Sequence, residues 1–386
     1  MWRRNFVRLV GGGAIFGATM PLAACSPGMP DDAVAAWRGP GDEPDLRRWA
    51  LSYAILAPHS HNLQSWSIDL RPSGEIVLRC DPARLLPETD PFARQIMMSH
   101  GTFLELLDMA ARERGHRAEI ELFPEGPFAP EKIDNRPVAR VRLVPDAGAA
   151  PDPLFAQVLL RRTNRNVYDA ERPVPDTAWQ AMAQAVRPYP LHFGRIGPDE
   201  PAALQRQRDI ARTAWRTELV TPRTMMESIR VLRIGSAEIS AHRDGISLTD
   251  PMVVLLDRVG LFDRSRAPAP DSMGTRRQID DFDRMIASTQ NFLWLTSDGN
   301  DRVTQVNAGR AYVRVQLAAT AAGVVMQPLQ QALQEYPEQA GAHAAIHELL
   351  GARRPAQTVQ MWARVGHAEP VGPAPRRGLQ AQLASA

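Results

Sequence analysis

With 386 residues, 45 basic against 43 acidic side chains and a formal charge of +2, the chain can bury one large core or two moderate ones and carries too little charge to call for a polyanionic partner. Lys132 is its only lysine, and no basic run interleaves with aromatics, which argues against a nucleic-acid surface. Two cysteines, Cys25 and Cys80, cannot make a disulfide framework or a cysteine-based metal site.

Residues 1–24 read as a targeting segment. Met1 to Arg8, with Arg3-Arg4 followed by Phe6 and Arg8, resembles a twin-arginine export signal. Val10 to Leu22 is apolar but too short and glycine-rich for a membrane span. Leu22-Ala23-Ala24-Cys25 resembles a bacterial lipobox, which implies a lipid on Cys25; the other reading is an ordinary cleavage site. Because Ser26 is not the Asp of an inner-membrane retention signal, the expected location is the periplasm, as an outer-membrane lipoprotein. The lipid would be its only membrane contact. Residues 25–44, rich in Pro, Gly, Asp and Ala, read as a tether.

Leu46, Trp49, Ala50, Tyr53 and Leu56 then recur on one helix face behind a capping Asp45, and Pro58 stops the helix. The stretch that follows, through Trp66, is a turn dense in amides and hydroxyls. It suits a planar polar ligand, with Asn62 and Gln64 as paired donors and acceptors, or an Asx-type turn that satisfies its own backbone. A hairpin (Ser65–Arg71, Ile76–Cys80), a helix (Arg94–Arg114) and two strands (Ile120–Phe123, Val138–Val144) complete a first unit, 45–150.

Past the Pro-rich linker, the second unit, 151–386, opens on Arg161-Arg162-Thr163-Asn164-Arg165-Asn166. Guanidinium forks beside a hydroxyl and amides can grip a phosphate; a bare arginine run can equally be a solvated face. Helices at Asp176–Val186 and Pro201–Leu219 flank a strand at Leu191–Ile196. Residues 220–275 break into short Pro- and Arg-punctuated pieces, the pattern of a lid inserted over a site. Helices Arg276–Ser288 and Arg302–Ala322 and strands Phe292–Ser297 and Thr358–Val365 follow. Gly101, Ala110, Ala111 and Gly115 have the spacing of Gly309, Ala318, Ala319 and Gly323, which favours an internal duplication over chance in an Ala-rich chain.

Metal readings are poorer. His59 and His61 have no third partner in view, and His343 with His347 beside Glu348 lacks the zincin spacing and reads better as a solvated face. Neither a Gly-x-Gly-x-x-Gly nor a phosphate-loop motif occurs.

Residues 57–66 resemble the flavin-binding signature of the nitroreductase family, usually Pro-Ser-x-x-Asn-x-Gln-Pro-Trp. Pro58, Ser60, Asn62, Gln64 and Trp66 match, while His59 and Ser65 replace Ser and Pro. The Arg161–Asn166 run, followed by Tyr168-Asp169, resembles the family's Arg-Arg-Ser-x-Arg segment, with Asn166 where a basic residue is common. Arg376-Arg377 resembles the closing basic pair, and Gln327 to Gln331 the loop beside the flavin ring. The closest likeness is to the exported, internally duplicated, Acg-type branch.

The resemblance implies an α+β, nitroreductase-like fold of two tandem halves forming a pseudo-dimer within a monomer. It implies FMN held by Pro58, His59, Ser60, Asn62, Gln64, Arg161, Arg162, Thr163, Asn164, Asn166, Leu329, Gln330, Arg376 and Arg377. The turn occurs only in the first half and the arginines only in the second, so one FMN per chain is expected. The implied activity is an FMN-dependent oxidoreductase passing two electrons to a small acceptor such as a nitroaromatic or quinone, with no catalytic acid or base. In a periplasm poor in nicotinamide donors, reduction by NAD(P)H should be slow, with Met225, Met226 and Met252 of the lid covering the donor face. The alternative is a protein that binds FMN without turnover, storing or withholding it.

Overall fold

The computed structural model describes residues 29–384, so the export-signal and lipobox readings, Cys25 included, lie outside the described residues. Among those described, no helix is long and apolar enough to cross a membrane.

Two sheets built to one plan organise the chain. In the first half, α1 (Leu46–Ala54) starts where the Asp45 carboxylate accepts from the Arg47 and Arg48 backbone N–H groups. It leads to β1 (Trp66–Asp69), β2 (Glu75–Cys80), α2 (Arg94–Arg112), β3 (His116–Leu122) and β4 (Pro137–Pro145), with strand order β1-β2-β4-β3. The second half begins with α3 (Asp176–Val186) and β5 (Leu191–Ile196). An insertion follows: α4 (Pro201–Val220), α5 (Pro222–Arg230), β6 (Leu232–Ile234), α6 (Gly235–His242), β7 (Ile246–Leu248), α7 (Pro251–Arg258) and α8 (Met273–Ala287). The half then closes with β8 (Asn291–Asp298), α9 (Arg302–Ala321), β9 (Val325–Pro328), α10 (Ala340–Leu349) and β10 (Gln357–Gly366). Its main sheet runs β5-β8-β10-β9, antiparallel throughout, as the first is. The insertion therefore occupies the position of the short β1–β2 turn of the first half.

The halves meet along α2 and α9, and the contact is reciprocal. A Cβ on Gly101 would stand 1.9 Å from the Val306 carbonyl oxygen, and one on Gly309 1.8 Å from that of Met98. Gly101 and Gly309, Met98 and Val306, Arg94 and Arg302, and Gly115 and Gly323 all share one sequence offset, so each contact has its mirror, as across a two-fold axis. Arg94 crosses to the second half, donating to the Leu333 carbonyl (2.6 Å), to Gln360 and to Glu335. Its counterpart Arg302 crosses back to the carbonyls of Phe92, Ala129 and Pro130. Gly115 and Gly323 end their helices at φ +67° and +66°, the left-handed cap that glycine adopts without strain.

Three expectations are corrected. Residues 25–44 are not a free tether over their described part. Ala33 and Trp37 are buried, and Ala35–Arg38 form a short 3-10 turn. Residues 220–275 are not a run of broken pieces but a folded unit with its own core, including Leu219, Met225, Ile229, Leu232, Val253, Leu256 and Phe262. Pro222 and Pro251 sit in the first turns of α5 and α7, where a proline ring starts a helix rather than breaking one. The His343–His347 pair is likewise buried rather than a solvated face. His347 Nε2 accepts the Val359 N–H, and burial lowers its pKa to about 4.

The helix contact gives a direct prediction. Gly101→Ala or Gly309→Ala should lower stability by about 1–3 kcal/mol through overpacking against backbone. Gly341→Ala in α10, where nothing lies within 4 Å, should instead raise it by about 0.5–1 kcal/mol. Urea unfolding midpoints measure both, and a neutral Gly101→Ala would contradict the close approach.

Candidate functional site

The turn after α1 is held in a costly conformation. His61, Asn62 and Gln64 have φ of +47°, +54° and +52°, a region that costs most non-glycine residues about 1–2 kcal/mol each. Such outliers persist only where surrounding bonds over-determine them. Gln64 is fully buried, and its amide donates to the carbonyls of Asn62 (3.2 Å) and Arg243 (2.9 Å) and accepts the Arg377 N–H (2.9 Å). Asn62 donates to the Pro375 carbonyl (3.0 Å) and accepts from the Arg376 guanidinium (2.5 Å). His59 is also committed within the turn. Its Nε2 accepts from the Ser65 N–H (3.0 Å), so Nδ1 carries the proton and donates to the Ser60 carbonyl (2.8 Å). Burial holds the His59 pKa well below its usual value, so the ring is neutral.

The turn thus grips the carboxyl-terminal tail. Arg376 donates from its backbone to the Ala33 carbonyl, and the Trp37 indole donates to the Ala374 carbonyl (2.8 Å). Farther on, Gln382 meets the Trp66 indole, and Ala384 donates to the Ile68 carbonyl, laying the tail along the edge of β1. Both described chain ends therefore converge on the first half's turn.

Their convergence creates an unusual charge cluster. The guanidinium carbons of Arg162, Arg376 and Arg161 lie 4.3, 5.2 and 5.5 Å from the centroid of the Trp37 ring. Arg161 and Arg376 are nearly fully buried, and Arg162 is half-buried. Among the described residues none of the three has an ion-pair partner, although most other arginines of the fold do. Their compensation is carbonyl oxygen at the end of α1: Arg161 and Arg376 both donate to Leu56, and Arg376 also to Ala57. Among the described residues the Nε–H groups of Arg161 and Arg376 have no partner. Burial, with the neighbouring arginines, pushes the pKa of Arg161 down to about 10 and that of Arg376 well below its usual value. A desolvated positive cluster with free donors lacks an anion, and the planar forks match a phosphate.

From this cluster the site extends along the 161–166 segment. Thr163 accepts from Gln316 of α9, Arg165 is exposed, and the nearby Tyr312 hydroxyl is buried without a partner. His61 comes from the turn side; burial and the charge of Arg165 lower its pKa to about 4, and Ser228 of α5 lies 3.4 Å from its Nε2. The insertion also donates the Gly245 N–H to the Asn62 carbonyl (3.1 Å). It packs directly on the turn, though Met225 and Met226 belong to its own core and Met252 faces solvent.

The structure therefore brings together Pro58, Ser60, Asn62, Arg161, Arg162, Thr163 and Arg376. Asn164 and Asn166 spend their amides on the Glu369 carbonyl. Leu329 and Gln330 bond to the backbone of β10. Arg377 does not act beside Arg376: it turns away to Gln64 and Ala381, under the influence of Arg84 and Asp244. Trp37 and Tyr312 were not singled out in the sequence as binding residues, Arg165 was read only as part of the arginine run, and His61 only as a poor metal ligand. An isolated indole among Ala residues of a supposed tether was the one available signal for Trp37. The pseudo-symmetric position is different in kind. Arg310 and Arg314 there are neutralised by Glu105 (2.9 and 2.8 Å), Arg314 also by Asp152, and Tyr189 closes the network. Among the described residues no His, Cys, Asp and Glu cluster is placed to hold a metal ion.

No family model matches the chain. Among solved structures, similarity is seen to the FMN-dependent nitroreductase NfnB of Mycobacterium smegmatis in complex with NADPH, at 17% identity and a TM-score of 0.38, covering 60% of this chain and 98% of that one. Iodotyrosine deiodinase bound to FMN and 3-iodo-L-tyrosine gives 15% identity and a TM-score of 0.34 over 58% and 96% of the two chains. In sequence, the chain is 29% identical over 341 residues, 86% of its own length and 89% of theirs, to two Mycobacterium tuberculosis proteins, from strains CDC 1551 and H37Rv, whose names are "Putative NAD(P)H nitroreductase MT3217" and "Putative NAD(P)H nitroreductase Rv3131".

Proposed function

We propose that the chain is a nitroreductase-family oxidoreductase that holds one FMN at the seam between its halves and passes two electrons to a small acceptor such as a nitroaromatic or quinone. The observation that carries this reading is the buried, unpaired Arg161–Arg162–Arg376 cluster on Trp37, beside a turn that resembles the family's flavin signature. The free Nε–H groups fit the dianionic phosphate of a mononucleotide, and the long sequence relatives named as nitroreductases support the same family. FMN, when bound, supplies the hydride and electron chemistry; the protein's part is to bind, orient and shield it. Arg161, Arg162 and Arg376 would take the phosphate, with Thr163 at its edge. Ser60 and the turn backbone would face the rest of the cofactor. Arg165 would bring positive charge toward it from the second half, and neutral His61 beneath Ser228 would bound the space where an acceptor enters. The pseudo-symmetric position, with its arginines already neutralised, offers no second anion site. An internal duplication followed by loss of one site accounts for this asymmetry.

We also infer export by the twin-arginine route to the periplasm, with a lipid on Cys25, from the sequence patterns at residues 1–25. A second reading, flavin storage without turnover, draws on the packing of the insertion against the turn through Gly245 and Ser228.

Three outcomes test these readings. Arg162→Ala should weaken FMN binding by about 1.5–3 kcal/mol, roughly 10- to 100-fold, with the wild type binding one flavin per chain by titration. Because Arg162 bonds only to carbonyls of its own segment, the apo-protein's melting temperature should change little while its rise with added FMN shrinks. Two flavins per chain would refute the single-site reading. Anaerobic mixing of holoprotein with NADPH should reduce the flavin over minutes; tens per second, the range of working enzymes, would show an open nicotinamide site. Finally, Cys25→Ala should move the protein from the membrane fraction to the soluble one, and a variant that stays bound removes the lipid assignment.

A further inference from the structure

Helix α7 of the insertion carries its core residues on one face and leaves another uncovered. Val253 and Leu256 are buried in the insertion core, whereas Met252, Leu255 and Val259 are 57%, 53% and 55% exposed. Positions 252, 255 and 259 are three and four apart, so the three side chains form one apolar stripe. Met273, at the start of α8, is another large apolar side chain in solvent at 55%. Scattered apolar residues on a surface need no explanation, but a stripe on a single helix does.

Most of the acids of this segment are committed, while two of its arginines are not. Three of its acids are drawn into ion pairs, Arg264 binding both Glu238 of α6 and Asp257 of α7 and Arg266 binding Asp263, and Asp250 caps α7, which leaves Asp271 as an exposed acid with no ion pair among the described residues. Arg258 and Arg276, by contrast, are exposed and have no ion-pair partner among the described residues. An apolar stripe flanked by free arginines is the pattern of a helix lying in the interface of an anionic lipid layer.

The chain's entry point selects the same region. Asp32 accepts from Ser240 (2.5 Å) and pairs with Arg243 (2.7 Å) at the end of α6. The other end of α6 touches α7, where Val254 lies 3.4 Å from the position of a Cβ on Gly235, and Arg264 ties Glu238 to Asp257. Cys25 is separated from Asp32 by seven residues, which reach about 25 Å at most. A lipid at Cys25 therefore keeps α7 close to the membrane surface.

We propose that α7 is a membrane-docking helix: Met252, Leu255 and Val259 enter the interface of an anionic lipid leaflet while Arg258 and Arg276 meet its phosphates. This rests on the Cys25 lipid reading for its geometry, but not for its chemistry. Docking would orient the molecule on the membrane through the same insertion that packs on the turn at Asn62 and His61.

The test uses the full chain with Leu255→Cys carrying an environment-sensitive fluorophore. Cys80 is buried and does not compete for the label, and a matched sample labelled in the Cys25→Ala background removes any contribution of a free Cys25 thiol. Adding vesicles containing phosphatidylglycerol should shift the emission to the blue, more than phosphatidylcholine vesicles do and less at high salt. A label at Glu121→Cys, exposed on the first half's sheet, should stay unchanged. In a Cys25→Ala background, replacing Met252, Leu255 and Val259 together by Glu should lower vesicle co-sedimentation at least about tenfold. A Leu255 label that stays insensitive while the protein floats with vesicles overturns docking and leaves the lipid anchor standing. A protein that does not float, yet whose label still shifts with anionic vesicles, overturns the anchor and leaves docking standing. A blue shift without vesicles that grows with protein concentration identifies a second copy as the occupant and also overturns the proposal.

Discussion

The close approach of two helix backbones sets the rest of this molecule. Only glycine at positions 101 and 309 lets α2 and α9 touch at main-chain distance, and that contact fixes the two halves as reciprocal partners. Arg94 and Arg302 then anchor each half to carbonyl groups of the other. Because these guanidinium groups bond mainly to backbone carbonyls, and the Arg94–Glu335 and Glu105–Arg310/Arg314 ion pairs across the seam are themselves largely buried, the seam should be little weakened by salt.

A two-fold arrangement makes two equivalent seams, yet the chain treats them oppositely. On one, Glu105 takes two arginines and closes the charge balance. On the other, three guanidinium groups crowd one indole with no carboxylate in reach. Burying paired charges is tolerable; burying like charges together is tolerable only with strong compensation. The Leu56 and Ala57 carbonyls supply part of it and an incoming anion would supply the remainder. The asymmetry between seams, rather than the presence of arginine, is what distinguishes them.

Much of this was legible in sequence, though unevenly. Long periodic elements such as α9 and β10 stood out because many residues vote for one period, and the Gly101/Gly309 spacing pointed to a repeated plan before any contact was known. Short helices were not legible: α5 and α7 have eight or nine residues each, and their opening prolines read as breaks. At the site, residue type predicted location better than role. Gln64 and His59 lie in the turn as expected, but their polar atoms are consumed in shaping it. Adjacent arginines likewise part company, Arg376 turning to Leu56 and Ala57 and Arg377 to Gln64 and Ala381. Trp37 escaped because composition described its surroundings and not its contacts.

The tail that runs from Glu369 to Leu383 has a consequence for how the molecule is made. The arginine cluster joins Ala33 and Trp37 to Arg376, and the Trp37–Ala374 bond beside it spans 337 positions of sequence. A polypeptide still threaded through the ribosome exit tunnel keeps its most recent thirty or so residues, on the order of 100 Å when extended, away from the folded part. Arg376 cannot reach Leu56 until it has itself emerged, with the 320 positions of sequence that separate it from Leu56 already made. The three-arginine cluster is therefore assembled late, when both halves are already there to meet.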